Sequence, residues 1–356
     1  MLDWSSAFDR QDPTLAIQKF LEMDVRPALV PMLVSYLTDR EMQVKYNGKY
    51  SSTHRLPGGG PQGTLIGLIE YLVQSNDNAD CVEPDMRFKY VDDLTVLELV
   101  LLTTLLTEYN FKQHVASDIG IDEFYVPGDS LRTQNNINQI ADWTDKNQMR
   151  LNSDKSNYMV FSRSSTEFAT RLSMNSNTLD RVEEIKLVGV SITTFLDWEK
   201  NTRELCRKAY ARVTMLTKLK YVGIPRDDLI DVYNLYIRSI LEYCSVVWHS
   251  TLTVQQSKDI ENVQKLCMKI ILGSEYKNYP QALQACNLEE LRKRRESRCL
   301  KFGLKSLLHP IHSQLFPVNP QVLSNPYDSS TRQHFTVNWA RTDSYRISAV
   351  PYISDY

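Results

Sequence analysis

Residues 87 to 97 read R-F-K-Y-V-D-D-L-T-V-L, where two adjacent carboxylates, Asp92 and Asp93, interrupt an apolar, β-prone run. Burying one charge is costly, and burying two side by side is worse unless a positive group sits between them. The flanking residues favour strands and Asp favours turns, so the stretch predicts strand, turn, strand with the carboxylates at the turn. Whatever surrounds that turn must supply the missing positive charge.

The rest of the chain narrows what that charge can be. Its 356 residues suffice for two or three domains, and its 42% hydrophobic and 24% charged residues are those of a soluble globular protein. The formal net charge of −2 carries no bulk signature of nucleic-acid or membrane binding, so any such surface is local. Six cysteines, Cys81, Cys206, Cys244, Cys267, Cys286 and Cys299, form no C-x-x-C pair and have no nearby histidine partner. That argues against a zinc site and against a secreted disulfide framework. Asp3 follows only Met1 and Leu2, so no cleavable signal precedes the first charge. The longest apolar stretch, L-V-L-L-T-T-L-L from Leu99 to Leu106, falls short of the ~20 residues that span a bilayer. These features predict an intracellular protein, cytoplasmic or nuclear and not secreted, with no membrane partner.

Along the chain, L-D-W-S-S-A-F-D-R opens with a short apolar strand that ends in a carboxylate. Residues 14 to 38 carry helical spacing broken by Pro27 and Pro31, which predicts two helices. M-Q-V-K-Y at 42 to 46 alternates, and Asn47-Gly48 predicts a two-residue hairpin. P-G-G-G-P-Q-G-T at 57 to 64 is a loop, followed by a helix from about Leu65 to Val73. Residues 108 to 130 read as an irregular insertion, Thr133 to Asn147 as a helix, Tyr158 to Phe161 and 185 to 192 as strands. Beyond about Trp198 helical spacing dominates, which marks a domain boundary. Residues 200 to 226 hold eight Lys or Arg against one acid, Glu204, with an apolar face at Leu205, Ala209, Val213, Leu216 and Leu219. Amphipathic helices follow at 228 to 249 and 254 to 272, and a second basic run, L-R-K-R-R-E-S-R, occupies 291 to 298. The tail beyond Pro317, rich in Pro, Asn and Ser, reads as irregular.

Asp3, Asp92 and Asp93 are remote in sequence. Three carboxylates converging from two strands can hold two divalent cations about 3.5 to 4 Å apart, the arrangement that stabilises attacking and leaving oxygens in phosphoryl transfer. Each member has a plainer reading alone: Asp favours turns, and Asp3 could cap the helix that follows.

Read in order, the motifs restrict the choice. L-D-W-S-S-A-F-D, G-G-P-Q-G-T-L-I-G, K-Y-V-D-D-L, L-N-S-D-K-S-N-Y-M-V-F-S and K-L-V-G-V resemble motifs A to E of the reverse transcriptases of non-LTR (LINE-like) retrotransposons. W-E-K-N-T…K-A-Y-A-R, Y-I-R-S-I-L-E-Y-C-S-V-V-W-H and I-E-N-V-Q-K-L-C-M-K-I-I-L-G resemble the thumb region of the same enzymes, so the likeness covers most of the chain. The implied fold is α+β: a polymerase palm, an antiparallel sheet packed on helices, over 1–195. A helical thumb-like domain at 196–275 and a C-terminal helical segment with an irregular tail at 276–356 follow.

The resemblance implies an RNA-directed DNA polymerase that uses two Mg²⁺ ions, or Mn²⁺, with an RNA template, a DNA primer and deoxynucleoside triphosphates as partners. Asp3, Asp92 and Asp93 would be the catalytic metal-binding carboxylates, with the backbone carbonyl of Trp4 as a further ligand. Phe8 matches the steric gate that excludes a 2′-hydroxyl, with core packing as its alternative. Gln62 and Gly63 match the pair that contacts template and incoming nucleotide, and Gly58, Gly59, Gly60 and Gly63 would let backbone approach nucleic acid closely. Lys155 matches a lysine that protonates the leaving pyrophosphate, with an exposed loop lysine as the plainer reading. Asp9 is structural, and Leu187, Val188 and Gly189 belong to the primer-grip hairpin. Lys200, Arg203, Arg207 and Lys208 would track template–primer phosphates, against the alternative of a solvated face.

The chain departs from the family in beginning two residues before its first catalytic carboxylate, without the fingers or the endonuclease. A truncated protein, weakly active or inactive alone, is therefore expected. A non-catalytic nucleic-acid-binding relic is the competing reading. A two-metal nuclease would leave the P-Q-G loop and the basic helices unexplained.

Overall fold

The computed structural model describes residues 1–98, 129–161, 171–306 and 309. The readings of 108 to 128, of the Leu99–Leu106 stretch and of the tail beyond Pro317 lie outside them. The chain divides into two units, Met1–Glu183 and Glu184–Tyr356. The secondary structure is α+β, with small, mostly antiparallel two-stranded ladders in the first unit and helices dominating the second.

In the first unit, α1 (Pro13–Glu22) starts where Asp12 Oδ1 accepts from the amides of Thr14 (2.7 Å) and Leu15 (3.2 Å), with Pro13 at the first helical position. Pro27 opens a short 3₁₀ turn, and α2 (Val30–Leu37) follows with Pro31 inside its first turn, where a missing N–H is harmless. A small core of Ala16, Phe20, Leu33 and Leu37 joins the two helices. Two nested strand pairs come next: β1 (Glu41–Met42) with β4 (His54–Arg55), and β2 (Lys45–Tyr46) with β3 (Lys49–Tyr50). Asn47 and Gly48 both have positive φ, as the two-residue turn requires.

Helix α3 (Leu65–Gln74) is capped by Thr64, whose hydroxyl accepts the Gly67 amide at 3.0 Å. Its amphipathicity is inverted: Glu70 and Gln74 are buried, whereas Leu65, Leu68, Ile69 and Leu72 face solvent. Strands β5 (Arg87–Tyr90) and β6 (Asp93–Val96) form a tight hairpin, and α4 (Asp129–Lys146) packs Ile137, Ile140 and Ala141 into a core shared with Leu2, Trp4, Leu94 and Leu151. The strand expected at Tyr158–Phe161 is shorter and earlier, β7 (Asn157–Tyr158). The hairpin β8 (Ser173–Met174) and β9 (Asn177–Thr178) follows, and β10 (Asp180–Arg181) lies parallel to β7.

The second unit opens on a hairpin, β11 (Glu184–Leu187) and β12 (Val190–Thr193), where the pattern had read as one strand. Val188 and Gly189 turn it with positive φ at both positions. The long helix α5 (Glu199–Tyr221) buries Leu205, Ala209, Val213 and Leu216. The helix expected over 228 to 249 is interrupted: α6 (Arg226–Val232) runs through a wider π-type turn at Tyr233–Arg238 into α7 (Ser239–Leu241). The chain then breaks at Cys244 (φ +50°) before α8 (Ser245–Trp248). Glu242 at the break turns inward among arginines instead of continuing the helix. Helix α9 (Val254–Leu272) starts on a reciprocal cap: the Thr253 hydroxyl accepts from the Gln256 amide (3.2 Å), and Gln256 Oε1 accepts from the Thr253 amide (2.8 Å). Helices α10 (Tyr279–Ala285) and α11 (Leu291–Ser306) complete a core centred on Trp248, Tyr233, Ile260 and Met268.

Candidate active site

The site grows from a very short N-terminal strand held on both edges. The Leu2 amide donates to the Leu94 carbonyl (2.8 Å) and the Leu94 amide to the Leu2 carbonyl (3.4 Å), an antiparallel bridge to β6. On the other edge, the Ser5 amide donates to the Arg150 carbonyl (2.8 Å) and the Asn152 amide to the Asp3 carbonyl (2.9 Å), setting Trp4 against Leu151. The Asp3 amide donates to the Ser156 hydroxyl at 3.1 Å.

This register places the acids. Leu2 and Leu94 are opposite and buried, so one residue along the antiparallel ladder Asp3 faces Asp93, and both emerge on the other side of the sheet. Opposed side chains there have Cβ atoms roughly 5 Å apart. Trp4 has the same orientation as Leu2, so its carbonyl points toward the hairpin edge where Asp92 sits. Asp92 and Val91 form the two-residue turn, with Tyr90 paired to Asp93. Val91 adopts φ +55°, a strained conformation for a β-branched residue.

The electrostatics report the same convergence. The Asp93 carboxyl is raised above its ordinary range by burial, then by the neighbouring charges of Asp92 and Asp3. Burial raises the Tyr71 hydroxyl too, and Asp92 and Asp93 add to it, so this phenol lies in the field of the pair. The Phe8 ring stacks on Tyr71 with centroids 4.8 Å apart. Asp3 Oδ2 is buried without a hydrogen-bond partner, and Lys155 Nζ stands 3.9 Å from it, on a largely exposed side chain.

The glycine-rich loop is built against the chain itself. The Gly59 amide donates to the Gln11 carbonyl (2.8 Å) and the Gly60 amide to the Phe8 carbonyl (2.7 Å). Arg40 Nη2 donates to the carbonyls of Gly58 (3.1 Å) and Gly59. A Cβ on Gly60 would overlap the Gln11 amide oxygen, and one on Gly59 would press on the Asp9 backbone. The expectation that Gly58, Gly59 and Gly60 make room for nucleic acid is therefore corrected: the room they make is taken by residues 8–11. Gly63, at φ +79° with nothing within 4 Å of its would-be Cβ, remains open. Gln62 Nε2 donates to Asp9 Oδ1 at 2.8 Å. Tyr71, Glu70 and Gln11, all buried, were not singled out from the sequence; the signal for the first two was a shared face with Gly67 on α3.

Two curated relatives fit this arrangement. The probable RNA-directed DNA polymerase from transposon X-element of Drosophila melanogaster is 20% identical over 283 residues, 77% of this chain and 28% of that protein. The RNA-directed DNA polymerase from mobile element jockey, from the same organism, is 22% identical over 254 residues, 68% of this chain and 25% of the relative. The chain is similar to non-LTR retrotransposon RNA-directed DNA polymerases. It spans about a quarter of the length of these relatives. No family model matches it.

Among the described residues, no three His, Cys, Asp or Glu side chains are disposed to hold a metal ion as they stand. In kind the donors suit a hard divalent cation: three carboxylates that repel one another, one with an orphaned buried oxygen. The four basic residues singled out on α5 are solvent-facing, and three are paired: Lys200 with Glu184, Arg203 with Glu199, and Lys208 with Glu204 at 3.9 Å. Glu199 immediately precedes the 200–226 stretch, and Glu184 is brought to Lys200 from the β11–β12 hairpin. Among the described residues, no helix is long and apolar enough to cross a membrane.

Proposed function

We propose that the chain carries the catalytic carboxylates of an RNA-directed DNA polymerase, on a palm-type first unit followed by a helical, thumb-like second one. The observation that carries this reading is the register that opposes Asp3 to Asp93 beside the turn holding Asp92. Asp3, Asp92, Asp93 and the Trp4 carbonyl would hold two Mg²⁺ or Mn²⁺ ions. Bound there, the metals would supply Lewis-acid activation of a primer 3′-hydroxyl and neutralise charge on the departing pyrophosphate.

The chain's own residues would do the rest. The Phe8 ring, packed against Tyr71, would offer a flat apolar wall to a sugar and exclude a 2′-hydroxyl. Gln62, oriented by Asp9, presents its amide oxygen to template or nucleotide beside the open Gly63. Lys155, with Nζ 3.9 Å from Asp3 Oδ2, would offset that acid's charge and, swung toward solvent, could donate its proton to pyrophosphate. Lys200, Arg203, Arg207 and Lys208 would hold duplex phosphates once their glutamate partners yield.

The test pairs two measurements on the purified chain: deoxynucleotide incorporation on a primed RNA template with Mg²⁺ or Mn²⁺, and Mn²⁺ binding by calorimetry. Incorporation or Mn²⁺ binding that disappears with Asp92→Ala/Asp93→Ala supports the reading. Both persisting in that variant, or both missing from the parent chain, overturns it. The competing reading is a non-catalytic nucleic-acid binder, and RNA binding without Mn²⁺ binding is its signature.

A further inference from the structure

The ribbon between α2 and the glycine-rich loop has no part in the reading above. Every residue from 41 to 55 is exposed, and among the described residues β1 pairs only with β4 and β2 only with β3. A lone two-stranded ribbon is marginal in water, and an unpaired edge is a template for another strand.

The hydrogen bonds show which edge is fit for that. The Leu56 amide donates to the Arg40 carbonyl (2.8 Å) and the Ser51 amide to the Val44 carbonyl (2.9 Å). Met42 lies opposite His54 and Tyr46 opposite Lys49, so the even-numbered residues from 40 to 46 direct their backbone groups into the ribbon. The odd-numbered ones, Glu41, Gln43 and Lys45, direct theirs to the outer edge. Between Met42 and Val44 stands one residue, whereas between their partners His54 and Ser51 stand two, Ser52 and Thr53. The bulge therefore lies in the strand of residues 49–55 and spoils that edge, while the edge at 41–45 stays regular.

The side chains on this strand are complementary to their own reverse. Alternation sets Glu41, Gln43 and Lys45 on one face and the exposed Met42, Val44 and Tyr46 on the other. Run antiparallel against a second copy about a two-fold axis at Gln43, the strand puts Glu41 opposite Lys45 of the second copy and Lys45 opposite its Glu41. All three outward-directed residues then meet in pairs that exchange backbone hydrogen bonds, and Met42 lies opposite Val44 of the second copy on the apolar face. An axis at Val44 would instead set Gln43 opposite Lys45 and Glu41 opposite Asn47, without charge pairing. A register that opposes odd to even residues meets backbone groups already used inside the ribbon.

We propose that the edge strand of residues 41–46 is an interface with a second copy of this chain, the two ribbons joining about Gln43 into one four-stranded antiparallel sheet. The contact uses none of the Asp3, Asp92 and Asp93 chemistry, so it stands or falls independently of the polymerase reading. One short strand from each copy buries less than a standard interface of roughly 1,600 Å², so the dimer is weak, with a Kd in the micromolar range or above.

The experiment is sedimentation velocity of the full chain from about 1 to 300 µM, with amide exchange measured at both ends of the series. A monomer–dimer equilibrium is expected, with added protection at 41, 43 and 45 in the concentrated sample. Glu41→Lys and Lys45→Glu each set like charges opposite one another at both pairs, and each should weaken dimerisation roughly ten-fold or more. An equimolar mixture of these two variants restores opposite charges at both pairs and should dimerise about as tightly as the parent. Gln43→Pro removes an outward amide that the ribbon does not use itself, and should abolish the dimer while the fold persists. A parent chain that stays monomeric to the top of the series overturns the proposal. So does a dimer that both single charge variants leave intact, or a mixture that dimerises no better than either variant alone.

Discussion

Glu70 offers a quantitative test of how the glycine-rich loop is supported. The side chain lies on the buried face of α3, both carboxyl oxygens lack hydrogen-bond partners, and its nearest cation, Arg40, is engaged by the carbonyls of Gly58 and Gly59. Burial pushes its pKa up from 4.5 to about 7, with Arg40 opposing. The fold therefore favours the protonated form. Stability from this group is fully present below about 4.5, the unfolded value, and is lost as pH rises through about 7. A difference of about 2.5 in pKa corresponds to roughly 3 kcal/mol at ~1.36 kcal/mol per unit. Glu70→Gln keeps the shape and removes the titration. At pH 4 the two proteins should match within about 0.5 kcal/mol. At pH 9 the variant should be more stable by up to roughly 3 kcal/mol. Urea unfolding, followed by amide exchange in peptides covering α3, reads only the unit that carries the residue. Other titrating groups act on both proteins alike and cancel. Parallel curves from pH 4 to pH 9 would refute the reasoning, since they would mean that the carboxylate is already charged and solvated.

Three further perturbations separate strain, close approach and charge. Val91→Gly relieves a β-branched residue at φ +55° and should raise the denaturation midpoint by an amount worth ~1 kcal/mol, while Mn²⁺ affinity falls because Asp92 is less firmly held. Gly67→Ala drives a methyl into the Pro61 carbonyl and should destabilise the first unit by roughly 2 kcal/mol or more; Gly63→Ala meets open space and should show only its backbone penalty of about 1 kcal/mol. Both are read by urea midpoints. Asp93→Asn removes a carboxyl whose pKa is raised in the fold, so in metal-free buffer the variant should gain stability relative to the parent as pH rises above the carboxylate range; thermal melts at pH 4 and pH 8 check the sign.

Local grammar was legible. Asn47-Gly48 turns where its residue types require and Val254–Leu272 is the helix its spacing announced, whereas the turn after Tyr90 uses Val91 and Asp92 and leaves Asp93 in the strand. What the sequence hid was non-local. Nothing near Leu2 says that it will bridge Leu94 and bring Asp3 to Asp93, because register across ninety residues is set by burial of both leucines. The three glycines before Pro61 signalled close approach but not its target, which turned out to be residues 8–11. The charge count on α5 missed Glu184 because a hairpin folds it back beside Lys200. Inverted α3 misleads by the same logic: periodicity marks an apolar face, and only tertiary packing decides which face is inside.

The doubly held strand at the chain's start has a kinetic consequence. Its partners are Leu94 on one edge and residues out to Asn157 on the other, the Met1 amino group reaching across 156 positions to the Asn157 carbonyl. Closing loops of that length is slow compared with zipping a hairpin or coiling a helix. The Asp92–Asp93 turn and α3 can form early, while Asp3 arrives only when the whole first unit has docked. The acidic trio is thus among the last features of this unit to mature during folding, and among the first to disperse when either edge of the strand lets go.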